Sequence, residues 1–495
     1  MIYHQGHVDL GDGKKYEKVA REALVVMVVG LNSHWKLPLG YFFVNGLTAT
    51  EKAGIVLEAI TELIQIGVKV SSLTTDGPSA NIAMFEALGG SLNAKDIQCE
   101  MFIRDNGESI FLIFDACHMI KLVRNTFATY KVLKYKGKKI EWRYVQELHN
   151  YQQKQQVWLA NKVKKAHIEY DKKIMNVRLA VQTLSNSTAA AIDHLREDLK
   201  LPEFQDSETT TLFIRTFDKL FDVFNTKSFV GKFHKKPLTI ANQCRWEGVL
   251  SEAEKLIPEL TDAHGTPILE TRRKTGFIGF LLNIKSLRGI FNRFVVGGPL
   301  RFLLTYKLSQ DHLEVFFGYL RARGACDNNP TTTMFRHIYK RVLSHAVTKG
   351  IGGNCMLQDE TQLLRLSETQ DMVYLNKKFD VFVHDIDALT LSQLDNSGNL
   401  TDGQISVAGY VSGFVLNKIK KLHKCATCIS ALESANKPTN TLIERKSYGF
   451  LKHTNQDFKA VCEYCEQTLQ HIIKTEKSFE TDIFCRMSLR RILDC

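Results

Sequence analysis

The sequence predicts an α/β fold whose sheet is begun by the first 130 residues and completed only after a long helical interruption. Three observations predict it. Strand-sized apolar runs alternate with helical spacing as far as Phe127. Beyond Lys131 the strand signals give way to amphipathic helical spacing. A block from about residue 281 then returns with an apolar helix that carries a carboxylate, SQDHLEVFFGYL.

The elements follow in order. GHVDLG, Gly6 to Gly11, reads as a strand with Asp9 near its end, with Asp12 close enough to serve in its place. ALVVMVVGL (Ala23 to Leu31) reads as a fully buried strand, with KLPLGYFFV (Lys36 to Val44) beside it. From Thr50 to Ile66, residues Ile55, Ala59, Ile60, Leu63 and Ile64 recur at three and four, which predicts a helix capped by Thr48 or Thr50 and ended by Gly67. In VKVSSLTTDGPSAN, Val68 and Val70 alternate with polar neighbours, and a strand closes on Asp76 before a Gly-Pro turn. Ser79 is the expected N-cap of the next helix, which carries Ile82, Met84, Phe85 and Leu88. Ile110 to Phe114 reads as a buried strand and Asp115 to Phe127 as a helix.

Three strands joined by short turns, then a crossover helix and further strand–helix pairs, describe the front half of a ribonuclease H-like fold. There the first and fourth strands are neighbours, which would bring Asp9 and Asp76 together. Two carboxylates so placed repel unless a cation lies between them, and oxygen ligands favour Mg²⁺ or Mn²⁺. The plainer reading of Asp76 is an Asx-turn closing a strand.

A length of 495 residues exceeds one core and implies two or three domains. Lys and Arg number 65 against 53 Asp and Glu, a surplus of 12 that favours polyanionic partners, nucleic acid first. No apolar run approaches the ~20 residues that span a bilayer, and the first residues lack a secretory pattern. An intracellular protein with no membrane partner is expected. Eleven cysteines then suggest free thiols or metal ligands rather than a disulfide framework.

The stretches VDLG, ALVVMVVGLNSHWKLPLGYFFVNGL, SLTTDGPSAN, DACHMIKLVRN and SQDHLEVFFGYLRARGACDNNPT together resemble the P-element transposases and their THAP-type relatives, across roughly residues 5 to 430. The resemblance implies a DNA transposase that cuts and joins strands in the nucleus, as a homo-oligomer on DNA. It maps the DDE carboxylates onto Asp9, Asp76 and Glu314 as metal ligands, and the family's Asp-x-x-His signature onto Asp115 and His118. Asp115 reads equally well as a helix N-cap, with His118 in the first turn. Glu314 lies on the helix marked by Leu313, Phe316, Phe317 and Leu320, and its plainer role is an ion pair with Lys307 or Arg321. Arg321 and Arg323 are candidates for DNA phosphates. No zinc-binding THAP module heads these residues, so recognition of specific DNA ends would be affected rather than the chemistry.

The family's insertion binds GTP, and the resemblance implies the same here. Residues 131–280 are expected to form an all-helical insertion domain between two parts of the core, 1–130 and 281–345. The segment contains no phosphate-binding G-x-x-x-x-G-K-[ST] loop. Asn161-Lys162 resembles the start of a guanine-reading Asn-Lys-x-Asp, with Lys164 where the Asp belongs. His167, Asn186 and Asp222 complete the candidate polar contacts. VLKYKGKKIEWRYVQ, with Tyr135, Trp142 and Tyr144, reads either as a solvated helix entry or as a track for a nucleic-acid backbone. In the helical tail, 346–495, Cys425 and Cys428 and then Cys462 and Cys465 form two CxxC pairs that suit either a Zn²⁺ site or free thiols. A catalytically silent, transposase-derived DNA- or protein-binding protein is the alternative function.

Overall fold

A computed structural model describes residues 6–14, 16–31, 35–102, 109–323, 330–344, 400–422, 425–434, 441–446 and 451–475. Two compact units form. One takes residues 1–142, 169–184 and 213–359; the other takes 143–168, 185–212 and 360–495.

The first unit opens with β1 (Glu22–Val29) and β2 (Lys36–Val44), an antiparallel pair. Helix α1 (Ala49–Gln65) starts in a capping box, in which Thr48 and Glu51 satisfy each other's backbone N–H groups, and Gly67 follows it in the left-handed region. Strand β3 (Ser72–Thr75) leads to α2 (Ser79–Ala87). Pro78, not Ser79, occupies the N-cap; its fixed φ suits the turn, and Ser79 is the first helical residue. Strands β4 (Ser91–Asn93) and β5 (Asp96–Gln98) form a small antiparallel pair. Strand β6 (Glu100–Phe102) and the buried β7 (Ser109–Phe114) follow, then helix α3 (Ala116–Tyr130). β7 runs parallel to β3 and antiparallel to β6.

One sheet with its first and fourth strands adjacent was the expectation; the described strands make separate sheets, β1–β2 and β3–β7–β6. Between them lies a cavity of about 1090 Å³, lined by Ala23 to Val29 of β1 and by the segment from Val68 through β3 to Asp76. This is why β1, expected to be fully buried, buries only Val25.

The interruption is not all-helical. β8 (Val132–Tyr135) and β9 (Lys138–Glu141) form a hairpin turning through Lys136 and Gly137, both in the left-handed region. β10 (Leu260–Asp262) joins β8 as a third strand. Val132, Leu133 and Ile140 sit in a stretch dominated by Lys, so charge hid the strands. Trp142 is core rather than a base-stacking platform. Helices α8 (Glu208–Phe224) and α10 (Thr275–Phe291) bury Phe213, Phe217, Phe277 and Phe280. α10 also grips β7: Asn283 accepts from Phe114 N–H at 2.8 Å and donates to its carbonyl at 2.7 Å, and Ser286 donates to the Leu112 carbonyl. Helices α11 (Asp311–Arg323) and α12 (Thr332–Ser344) lay Phe316, Leu320, Phe335 and Tyr339 against Val25 and Phe43. The expected apolar stripe of α11 is therefore the face that packs on β1–β2.

The second unit is helical. It contains Arg143–Gln155, Lys165–Ile168, Asn186–Asp193, Asp402–Leu422, Ala426–Leu432, Thr441–Lys446 and Gln456–Thr475. Within it Arg445 forks onto Asp198 at 2.8 and 2.9 Å and also reaches Glu197, while Asp198 accepts from His194 Nδ1 at 2.6 Å. Tyr144 is buried here against Phe204.

Candidate active site

Four pieces of chain position the site, all in the first unit. Asp76 follows directly on β3, its Oδ1 accepting from Asn81 Nδ2 at 2.5 Å, while Asn81 Oδ1 accepts from Lys52 at 3.0 Å. Asp115 caps α3, accepting from His118 N–H at 3.0 Å. Residues 308–311 are sewn to the same place. Thr74 Oγ1 donates to the Leu308 carbonyl at 3.1 Å, and the Gln310 N–H donates to Asp115 Oδ1 at 3.3 Å. Asp311 accepts from Lys227 Nζ at 2.8 Å and from Cys117 Sγ at 3.6 Å.

The charges are unevenly compensated. Burial, then the charges of Asp311 and Glu314, push the Asp115 carboxyl up to about 7. Burial, then the Lys121 ammonium, pull His118 down to about 4, so it is neutral at pH 7 and accepts from Lys121 Nζ at 3.4 Å. Burial lowers Lys121 as well, while the charges of Asp115, Glu314 and Asp76 hold it up. Lys121 thus feels Asp76 and Glu314 at once, although 238 residues separate them. The plainer N-cap role of Asp115 is real, and it coexists with the charge cluster.

Asp9 stands elsewhere. Its backbone bridges Phe43 of β2, whose other side pairs with Ala23 of β1. It is β1 that faces β3 across the cavity, so Asp9 lies on the far edge of the β1–β2 pair, and its carboxylate takes Arg336 at 2.6 Å. The physical reason is the order of pairing: the Asp9 segment adds to β2 rather than beside β3. Asp12 instead accepts from the Tyr16 hydroxyl at 2.7 Å.

Among the described residues no three of His, Cys, Asp or Glu gather as a metal-holding group. The expected three-carboxylate set is therefore not assembled, and Asp76 and Glu314 are the pair left for a divalent ion. A magnesium ion held by one or two carboxylates with waters and phosphate oxygens is a common arrangement, and these residues fit it. The four tail cysteines do not gather into a zinc site either. Cys425 and Cys428 are exposed, while half-buried Cys462 has its thiol pushed up to about 12, chiefly by burial. A thiolate is the metal-binding form, and burial opposes it.

The nucleotide candidates divide. Asn161 and Lys162 lie exposed on a turn, and His167 is buried with Nδ1 accepting from Lys164 N–H at 3.0 Å. Asn186 opens a helix of the same unit. Asp222 belongs to the other unit, paired with Lys235 at 3.3 Å and raised by burial. Arg321 is exposed on α11; the Arg323 side chain lies outside the described residues. Asp311, weighed in the sequence only as a helix cap, is the missed member of the site. A local signal existed, since Ser309 already supplies an acceptor to the Asp311 N–H.

Known proteins match the same segments. The TNP-like RNase H N-terminal domain matches residues 3–89, the TNP-like GTP-binding insertion domain 117–237, and the TNP-like RNase H C-terminal domain 306–340. The C-terminal domain of DNA transposase THAP9 matches residues 392–493. The chain is 29% identical over 498 residues to human DNA transposase THAP9, covering 94% of this chain and 53% of that protein. It is 25% identical over 322 residues to the Drosophila melanogaster transposable element P transposase, covering 64% of this chain and 41% of that one. The chain thus spans about half the length of the curated relatives it matches. The Drosophila P element transposase strand transfer complex shares the fold, with a TM-score of 0.57 and 23% identity, covering 68% of this chain and 73% of that one.

Split RNase H halves around a GTP-binding-type insertion define a transposase-class α/β protein. The chain belongs to the P-element/THAP9 type of transposase.

Proposed function

We propose that this chain is the strand-cutting and strand-joining part of a DNA transposase acting in the nucleus. Asp76 and Glu314 would hold Mg²⁺ or Mn²⁺ against DNA phosphates, and the ion would supply charge stabilisation at the attacked phosphorus. The observation that carries this reading is the convergence of Asp76, Asp115 and Glu314 on Lys121, from a strand end and two helices far apart in sequence. Neutral His118 and the ammonium of Lys121 would orient the water or the 3′ hydroxyl and the phosphate oxygens. Assembly of copies on DNA is part of the proposal.

Strand transfer of pre-cleaved element ends with Mn²⁺ tests it. Asp76→Asn and Glu314→Gln are each expected to lower the rate at least ~10³-fold, while Asp9→Asn leaves it nearly unchanged. Wild-type rates in the first two variants would leave a DNA-binding protein without this chemistry. GTP would be held by side chains and helix N-termini, without hydrolysis, since no phosphate loop is present in the insertion. Titration calorimetry with GTP and ATP should show GTP-selective binding that weakens with salt; a preference for ATP would overturn it.

A further inference from the structure

A short loop between α8 and α9 (Gln243–Leu256) is built unlike the rest of the first unit's surface. Its ends are clamped to residues 303–306. The backbones of Leu238 and Leu303 exchange two bonds of 2.9 Å. Thr226 and Thr305 each offer a hydroxyl to the other's N–H, at 3.0 and 2.9 Å. Between the clamps the chain makes a tight reversal. A Cβ at Gly231 would stand 2.0 Å from the Lys235 carbonyl oxygen, and Phe233 holds φ 53°, a strained value for a non-glycine residue.

This fixed loop presents apolar groups to water. Val230 is 84% exposed and Phe229 59%, the latter backed edge-on by Phe302 at 4.7 Å. Exposed cations surround them: Lys232 and Lys236 on the loop, with Arg301 and Arg245 on the flanking segments. Lys235 is engaged with Asp222. The loop is also tied to the candidate active site, since Lys227 at its base binds Asp311, whose charge acts on Asp115.

We infer that this loop is a nucleic-acid contact in which Phe229 stacks on an unpaired base while Lys232 and Lys236 neutralise the adjoining phosphates. An aromatic ring set among cations suits a strand whose bases are free, because every base offers a face for stacking and every phosphate a charge. Rigidity favours this use, since no ordering cost falls on a loop already clamped and braced. The inference rests on the reading of the chain as DNA-acting.

Fluorescence anisotropy of the full chain, with labelled duplexes that are blunt or carry a single-stranded 3′ tail, tests it across a NaCl series. Phe229→Ala should weaken binding of the tailed duplex roughly tenfold, leave the blunt one unchanged, and be rescued by Phe229→Trp. Lys232→Ala with Lys236→Ala should flatten the log affinity against log salt slope by about 1.4, at about 0.7 per phosphate. Val230→Asp, at the most exposed position, supplies a second variant that opens no core; it should weaken the tailed duplex too. Thermal melts verify folding. Equal loss on both duplexes, or no loss on either, overturns the assignment while leaving the transposase reading intact. A wild-type chain that binds no DNA overturns both.

Discussion

Two aspartates of the first unit face opposite fates. Asp9 lies at the edge of β2 with its side chain 45% exposed, paired with Arg336. Asp115 is 3% exposed, bonded to two backbone N–H groups and set beside two further acids. Water screens the first and leaves the second to its neighbours. The lesson is that a carboxylate at a strand end says little about chemistry until its surroundings are known. Burial, shared negative charge and a buried lysine mark the second region, and none of these marks the first.

The sharpest way to break the comparison is to remove each acid. Asp115→Ala deletes the α3 cap and strands the Gln310 N–H, and should cost about 2–4 kcal/mol in urea unfolding. A loss under about 0.5 kcal/mol would show that the buried acid matters no more than a surface one.

A smaller effect follows from protonation. The Asp115 carboxyl titrates near 7 in the folded chain against an ordinary 3.8, so between about pH 4 and 7 the folded state binds the extra proton. Its contribution to stability is fully present at low pH and is lost as pH rises through 7. His118 and His312 act oppositely: both fall to about 4, so the folded state binds fewer protons below 6.5 and gains stability as pH rises there. Asp115→Asn isolates the carboxyl. Relative to this variant, the wild type should lose stability from pH 4 to 7, by no more than about 1.4 kcal/mol per unit. Parallel curves would contradict the raised value.

The smallest change is expected at the exposed pair. Asp9→Ala should shift stability by less than about 1 kcal/mol, and less still in 0.5 M NaCl, where surface pairs are screened. A larger, salt-insensitive loss would place Asp9 in a structural role beyond its ion pair.

Much of this was legible in the sequence, for reasons that differ by element. Thr48, Gly67, the run Ile110 to Phe114 and the stripe Phe316–Leu320 carry local signals, and the structure keeps them. The convergence of Glu314 with Asp76 was legible through resemblance, because local pattern cannot measure a separation of 238 residues. The position of Asp9 was not legible: strand propensity says nothing about which neighbour a strand will choose. The hairpin Val132 to Glu141 was hidden by its lysines, which line a half-exposed strand as readily as a helix. The Asp311–Lys227 pair joins residues 84 apart and left no spacing to read.

The grip of Asn283 on Phe114 sets an order of events during synthesis. Past the last residue of β6 that pairs with it, β7 has no neighbouring strand on that side, and an amide side chain 169 residues downstream supplies the missing donor and acceptor. A nascent chain emerging from the ribosome must therefore hold β3 and β7 unfinished while the entire interruption is made. At about 5–20 residues per second that wait is on the order of ten to thirty seconds, during which an apolar strand stands with a bare margin. Chaperone dependence in expression should accordingly ease once residue 283 has cleared the exit tunnel.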